Sequence, residues 1–145
     1  MNQIRDALEL LTEQHADLDE LCDQVGASRD ATAFAALADK LTHHLALEQE
    51  LFYPAIAAQL SADVMTELMT EHVTIKRILA KLVWLGVEDE DFSMLFSQLV
   101  ELLRGHAAWQ EDQLFTTAAE TLSADRLADL GGRLQAFDSM VAVAA

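Results

Sequence analysis

Apolar residues recur at steps of three and four along nearly all of this 145-residue chain, and strand-like alternation is absent. That period predicts amphipathic helices. The first, over about residues 2–25, carries Ile4, Leu8, Leu11, His15, Leu18, Cys22 and Val25 on one stripe, with Gly26 placed to cap its end. The second opens near Ser28 or Asp30, whose side chains can accept orphan amide hydrogens, and carries Phe34, Leu37, Leu41, His44, Glu48, Leu51 and Ala55. Pro54 lacks a backbone donor and should distort its end. Ser61 caps a third helix with the stripe Met65, Leu68, His72, Ile75, Leu79 and Leu82, closed by Gly86. An acidic turn at residues 88–91 complements the dipole of a fourth, which passes Phe92, Phe96, Leu99, Leu102 or Leu103, and His106. Beyond Ser123, a fifth stripe holds Leu127, Leu130, Leu134, Phe137 and Val141. Gly131 and Gly132 should weaken that segment by about 1 kcal/mol each relative to alanine.

Short connections make consecutive helices antiparallel neighbours. The expected fold is all-α: an up-down-up-down antiparallel four-helix bundle over about residues 2–120, with an additional C-terminal helix over about 123–142. One domain is expected to span residues 1–145, a length that can bury a substantial core.

Charge narrows the partners. The formal net charge of −16 repels phosphate backbones and anionic lipid, so neither nucleic acid nor a membrane surface is expected. No apolar run approaches the roughly 18 residues of a membrane span. The N-terminus, MNQIRDALELLTEQH, mixes charge with apolar residues unlike a signal peptide, and cytoplasmic residence is the expectation. With Cys22 as the one cysteine, an intrachain disulfide and a multi-thiolate zinc cluster are excluded. Its place on the stripe reads as a small core residue. Leu51, Phe52, Trp84 and Trp109 could be core or could form a surface for a protein partner or a homodimer.

Polar residues interrupt the stripes at four equivalent places. His15, His44, His72 and His106 each take an inward position near the middle of a helix, and Glu48 shares the face of His44 one turn on. Antiparallel helices rising about 1.5 Å per residue bring all four histidines to a common depth. One buried histidine usually finds a carbonyl partner. Four with a carboxylate would cost several kcal/mol if left without partners, comparable to a domain's whole stability. A bound cation makes them ligands instead. Imidazole and carboxylate donors without thiolate suit iron or manganese, with zinc still open. Two metals fit better than one, because the donors outnumber a tetrahedral set. The Glu-x-x-His pattern of ferritin-like di-iron proteins is absent, since no histidine has a glutamate three residues before it. His43, one position off the stripe, reads as exposed or supporting.

The segment His-His-Leu-Ala-Leu-Glu-Gln-Glu-Leu-Phe-Tyr-Pro, residues 43–54, resembles helix B of the hemerythrin-like (HHE cation-binding) family. Glu71-His72 followed by Ile75 is similar to the helix C element, residues 106–115 to the helix D element, and His15 takes the helix A position. The resemblance implies two iron ions bridged by an oxo or hydroxo group. His15 and His44 would serve one iron, His72 and His106 the other, with Glu48 and Glu111 bridging. On helix D, Gln110 at i+4 suits a regular seam better, but Glu111 at i+5 is acidic and is the expected donor. Oxygen carriers have a second histidine four residues after the helix C ligand, where this chain has Lys76. Tyr53 is a candidate replacement ligand through its phenolate, provided Pro54 distorts the helix; otherwise it is a half-buried aromatic. Thr116 stands where relatives usually have proline, which should alter helix geometry more than chemistry.

Losing a histidine and gaining a phenolate would favour ferric iron over reversible oxygen carriage. The expected function is a non-haem di-iron protein that reacts with or senses small diatomic or peroxide ligands (peroxide, O2 or NO), with catalase-like activity among the possibilities. Lys76, Tyr53 or His43 could supply acid–base help. The alternatives are a non-enzymatic iron, oxygen or redox sensor, an O2-binding protein, and a metal-free bundle with a hydrogen-bonded polar core.

Overall fold

The computed structural model describes residues 5–144, and the side chains of residues 5–140. The expected start at Asn2, the stripe residue Ile4 and the side chain of Val141 lie outside them. The described residues form an all-α fold in which four rods run up, down, up and down. The first rod is α1 (Ala7–Ser28). The second is α2 (Ala31–Leu47) continued by a π-helical turn (Glu48–Phe52) and α3 (Tyr53–Ile56). The third is α4 (Ala62–Leu85). The fourth is α5 (Phe92–Trp109), a second π-helical turn (Gln110–Leu114) and α6 (Phe115–Thr121). The C-terminal helix, α7 (Ala124–Ala144), packs against α1.

Local chemistry accounts for the boundaries. Asp6, Asp30, Ser61 and Ser123 each accept a hydrogen bond from the backbone N–H three residues on, satisfying donors that a helix start leaves free. The first helix does not stop at Gly26. It continues to Ser28, and Arg29 takes the left-handed conformation (φ 55°) while its N–H closes on the Val25 carbonyl. Arg29 is held there from outside: its guanidinium donates to the Val87 carbonyl at 2.9 Å and lies over the Phe92 ring. Gly86 does end α4, at φ 82°.

Two apolar clusters fill the bundle, one above and one below the histidines. Leu11, Phe52, Leu68, Leu114, Phe115 and the α7 residues Leu127, Leu130 and Leu134 belong to one. Leu18, Leu41, Ile75, Leu99 and Leu103 belong to the other, with Cys22 buried among them. On every rod the histidine falls between residues of the two clusters, so the core is split by a polar layer. Trp84 is not core; it is 88% exposed near the end of α4, and Trp109 is half in water.

The two glycines of α7 are not equivalent. A Cβ on Gly131 would press on backbone atoms of residues 5–7, meeting the Asp6 carbonyl carbon at 2.7 Å, whereas one on Gly132 would meet nothing within 4 Å. Gly131 therefore permits the close approach of α7 to the start of α1, and Gly132 merely lowers helix propensity. Gly131→Ala should destabilise by about 1–3 kcal/mol through overpacking against rigid backbone. Gly132→Ala should stabilise by up to about 1 kcal/mol. Denaturant midpoints of the two variants, moving in opposite directions, check this.

Candidate metal centre

Helix geometry alone delivers the four imidazoles. His15 on α1, His44 on α2, His72 on α4 and His106 on α5 are all buried, with ring centroids 4.9 Å apart for His15 and His44. His106 lies between the others, 5.9 Å from His15 and 5.8 Å from His72. Glu48 sits at the middle with no exposure at all. Its Oε1 is 3.0 Å from Nε2 of His106, 3.1 Å from Nε2 of His44 and 3.3 Å from Nε2 of His72. One atom from each of His15, His44, Glu48 and His106 falls within 4.8 Å of all the rest, a spacing that can enclose a cation.

Tyr53 reaches the same place because of the π turn. Nine residues after His44, it would point away on a regular α-helix. Its N–H instead bonds the Glu48 carbonyl five residues back, and the widened turn absorbs one residue. Pro54 follows directly, where its missing donor disturbs the regular ladder least. The Tyr53 hydroxyl is then 3.1 Å from Nε2 of His72 and 3.4 Å from Oε2 of Glu48.

The fourth rod repeats the device. Phe115 donates to the Gln110 carbonyl, again five residues back. Thr116, in the place corresponding to Pro54, gives its hydroxyl to the Asp112 carbonyl at 2.8 Å, so this π turn forms without proline. The turn begins only after residue 109, leaving the step from His106 to Gln110 in regular α-helix. Gln110 is consequently the inward residue, fully buried, its amide nitrogen donating to Glu48 and, at 2.8 Å, to the Tyr53 hydroxyl. Glu111, the expected second bridging carboxylate, is not brought to the centre. It lies one step round the helix, its side chain 39% exposed, with Oε2 2.9 Å from Nδ1 of His15.

The outer nitrogens of three imidazoles are held by the neighbouring rod. Gln14 Oε1 meets Nδ1 of His44 at 2.8 Å, Glu71 bonds Nδ1 of His106, and Glu111 takes Nδ1 of His15. Such contacts fix ring orientation and direct Nε2 inward. The residue before one seam histidine thus braces the seam histidine of a neighbour: Gln14 precedes His15, and Glu71 precedes His72. In the sequence Glu71 is notable only as part of the helix C resemblance, and Gln14 not at all. Their signal was a polar residue beside a seam histidine, which many solvent-facing residues share. His43 is half-buried at 3.7 Å from Asp39, and Lys76 donates to Gln49; neither joins the centre.

Burial sets the electrostatics. Desolvation, helped by His44, lowers the pKa of His15 to about 3. Burial acts the same way on His106, but Glu48 and Glu71 outweigh it and raise its pKa to about 10. Burial opposes ionisation of Glu48, yet His44 and His106 hold its carboxyl well below the usual range. Burial and the Glu48 charge raise the Tyr53 phenol. Even so, His15 Nε2, His44 Nε2, His72 Nδ1 and Gln110 Oε1 are buried without a hydrogen-bond partner. The His44 Nε2–Glu48 contact is close enough for charge interaction but lacks hydrogen-bond geometry. Each orphan costs about 1–3 kcal/mol, and His15 and His44, whose Nε2 atoms are orphaned, belong to the compact set with Glu48 and His106, where a cation would turn them into ligands. These residues fit a metal ion.

A cavity of about 380 Å³ opens between α1 and α5 and reaches His15, His44 and His106 past Leu18, Cys22 and Leu103. Arg104 stands at its edge, donating to Asp19 at 2.7 Å and Asp23 at 3.1 Å.

No curated protein matches this chain. A hemerythrin HHE cation binding domain-containing protein from Mycobacterium kansasii has a similar crystal structure, with a TM-score of 0.82 at 20% identity over 94% of this chain and 86% of that one. At such identity the likeness speaks for the fold. The family model for the hemerythrin HHE cation binding domain matches residues 6–118, which contain every residue of the buried cluster, and the chain belongs to that family.

Proposed function

We propose that this protein holds two iron ions at the buried cluster and uses them to react with or sense small oxidants: peroxide, dioxygen or nitric oxide. The observation that carries the reading is the pair of orphaned imidazole nitrogens, on His15 and His44, in a compact set with one buried carboxylate, Glu48. His15, His44, His72, His106 and Glu48 would be ligands, with Tyr53 supplying an oxygen donor where relatives that carry oxygen have a further histidine. Iron in such a site contributes Lewis acidity and one-electron redox chemistry.

The chain's own residues do the rest. Glu48 spans the donors and offsets part of the cationic charge. Gln14, Glu71 and Glu111 orient three rings. The cavity between α1 and α5, walled largely by apolar side chains, admits small uncharged molecules to the His15–His44–His106 face. Catalase-like turnover is the enzymatic form of this proposal. A sensor is its non-enzymatic form, and one observation favours it: the polar layer divides the core, so ion binding adds directly to bundle stability. A large gain in helicity and protease resistance on iron loading would point to the sensor.

Protein purified from iron-supplied cells should contain iron and absorb in the near ultraviolet, and it should consume peroxide or bind O2 or NO. Tyr53→Phe should keep the iron while losing a visible phenolate band. Iron-free protein, or loaded protein inert to all three molecules, would refute the proposal.

Proton linkage gives a test on the metal-free protein. The pKa of His106 is raised from 6.5 to about 10, so its stabilising contribution is complete below 6.5 and lost as pH rises toward 10. That of His15 is lowered to about 3, so its contribution is present above 6.5 and lost as pH falls. Glu48, depressed below its ordinary 4.5, adds to the acid limb. The melting temperature should therefore decline on both sides of about pH 6.5, the ordinary histidine value. His106→Gln should flatten the limb between about pH 6.5 and 9. Melting curves across pH in the presence of chelator read both effects.

A further inference from the structure

We infer that Gln110 is the fourth rod's second ligand in the centre, beside His106, and that its neutrality makes the two cation positions unequal, so that ions load in order. The inference rests on the metal-centre reading above. Its starting point is the missing second carboxylate. Glu48 is the one buried acidic side chain among the described residues; Glu111 faces the outer nitrogen of His15 instead.

The donors sort into two groups around Glu48. Oε1 is approached by His44, His106 and His72 at 3.1, 3.0 and 3.3 Å, but only His44 and His106 form with His15 and Glu48 a compact set, in which His15 Nε2 has no partner. Three imidazoles and a carboxylate make a sufficient site for one divalent ion. Near Oε2 lie the Tyr53 hydroxyl and the Gln110 amide, with His72 adjoining at 3.1 Å from the hydroxyl. This second group brings one imidazole and two neutral oxygens, and must share the Glu48 charge.

Gln110 is fully buried, and its nitrogen is engaged by Glu48 and Tyr53 while Oε1 has no partner. A buried carbonyl oxygen without a partner, on an amide already in contact with Glu48, is a donor open to a cation. Two divalent ions in one site sit about 3.5–4 Å apart and repel strongly where water is excluded. A single carboxylate cannot neutralise both. The three-imidazole position should fill first, and the position beside His72, Tyr53 and Gln110 should fill later and more weakly. Glu111 then acts as a positioning residue for His15, and its loss should weaken the first ion without removing the second.

Anaerobic titration with Co(II), followed by calorimetry and visible absorption, tests this without reference to activity. Wild-type protein should bind two ions with affinities on the order of 100-fold apart, since affinity follows ligand charge. Gln110→Glu should raise the second affinity to within about tenfold of the first. Glu111→Gln should keep both events and weaken the first by about 10–100-fold, the usual effect of losing a ring-orienting contact. Two wild-type events of equal affinity would overturn the inference and leave the metal centre standing. So would loss of the second event in Glu111→Gln, which would make Glu111 the acidic donor after all. No cobalt bound by wild type would remove the metal centre itself. If Gln110→Glu does not fold, the wild-type isotherm and Glu111→Gln decide between these outcomes.

Discussion

The carboxylate of Glu48 is the point on which the bundle turns. It is buried completely, and it meets imidazoles from the third and fourth rods as well as its own. An isolated carboxylate there would be intolerable; among histidines it stays ionised and raises the proton affinity of His106. The same contacts leave other nitrogens unsatisfied, because four rings cannot all hydrogen-bond one carboxylate. The polar layer is therefore balanced for a guest cation and poorly balanced without one. Placing that layer between two apolar clusters lets leucine and phenylalanine packing on either side hold the imidazoles still.

The second and fourth rods share one irregularity. Five residues from Glu48 and five from Gln110, a π turn brings Tyr53 and Phe115 to a face they would otherwise miss. The two turns serve different ends. In the second rod the turn delivers a hydroxyl to the centre; in the fourth it delivers a ring that stacks beside His15 at 6.0 Å. Pro54 makes the first turn easy to understand, since it removes a donor from the ladder. Thr116 shows that proline is not required, its hydroxyl bonding a carbonyl within the widened turn instead.

The cross-bracing of the imidazoles divides labour among the rods. The first, third and fourth rods each supply an imidazole to the centre and a polar side chain to a neighbour's imidazole. Such an arrangement ties ring orientation to helix–helix register, so sliding one rod would misalign two rings at once. That coupling gives the site its precision without any loop contributing a donor.

Periodicity made most of this legible. A three-and-four repeat reports which face of a helix is buried, and it placed His15, His44, Glu48, His72 and His106 inward because helical rise and angle are nearly constant. Capping chemistry likewise marked Asp30, Ser61 and Gly86. Other features depended on how the rods meet. Gly26 looked like a stop, but Arg29 takes that role because Val87 and Phe92, distant in sequence, receive its guanidinium. The choice between Gln110 and Glu111 turned on whether the widened turn began before or after residue 110, a matter of one residue's phase that composition does not encode. Nor could spacing distinguish Gly131 from Gly132, since the first matters only for the backbone of α1 beside it. Local sequence determined which residues face inward and at what depth. Packing between rods decided which inward atoms meet, because contact depends on register and helix phase that only the assembled bundle sets.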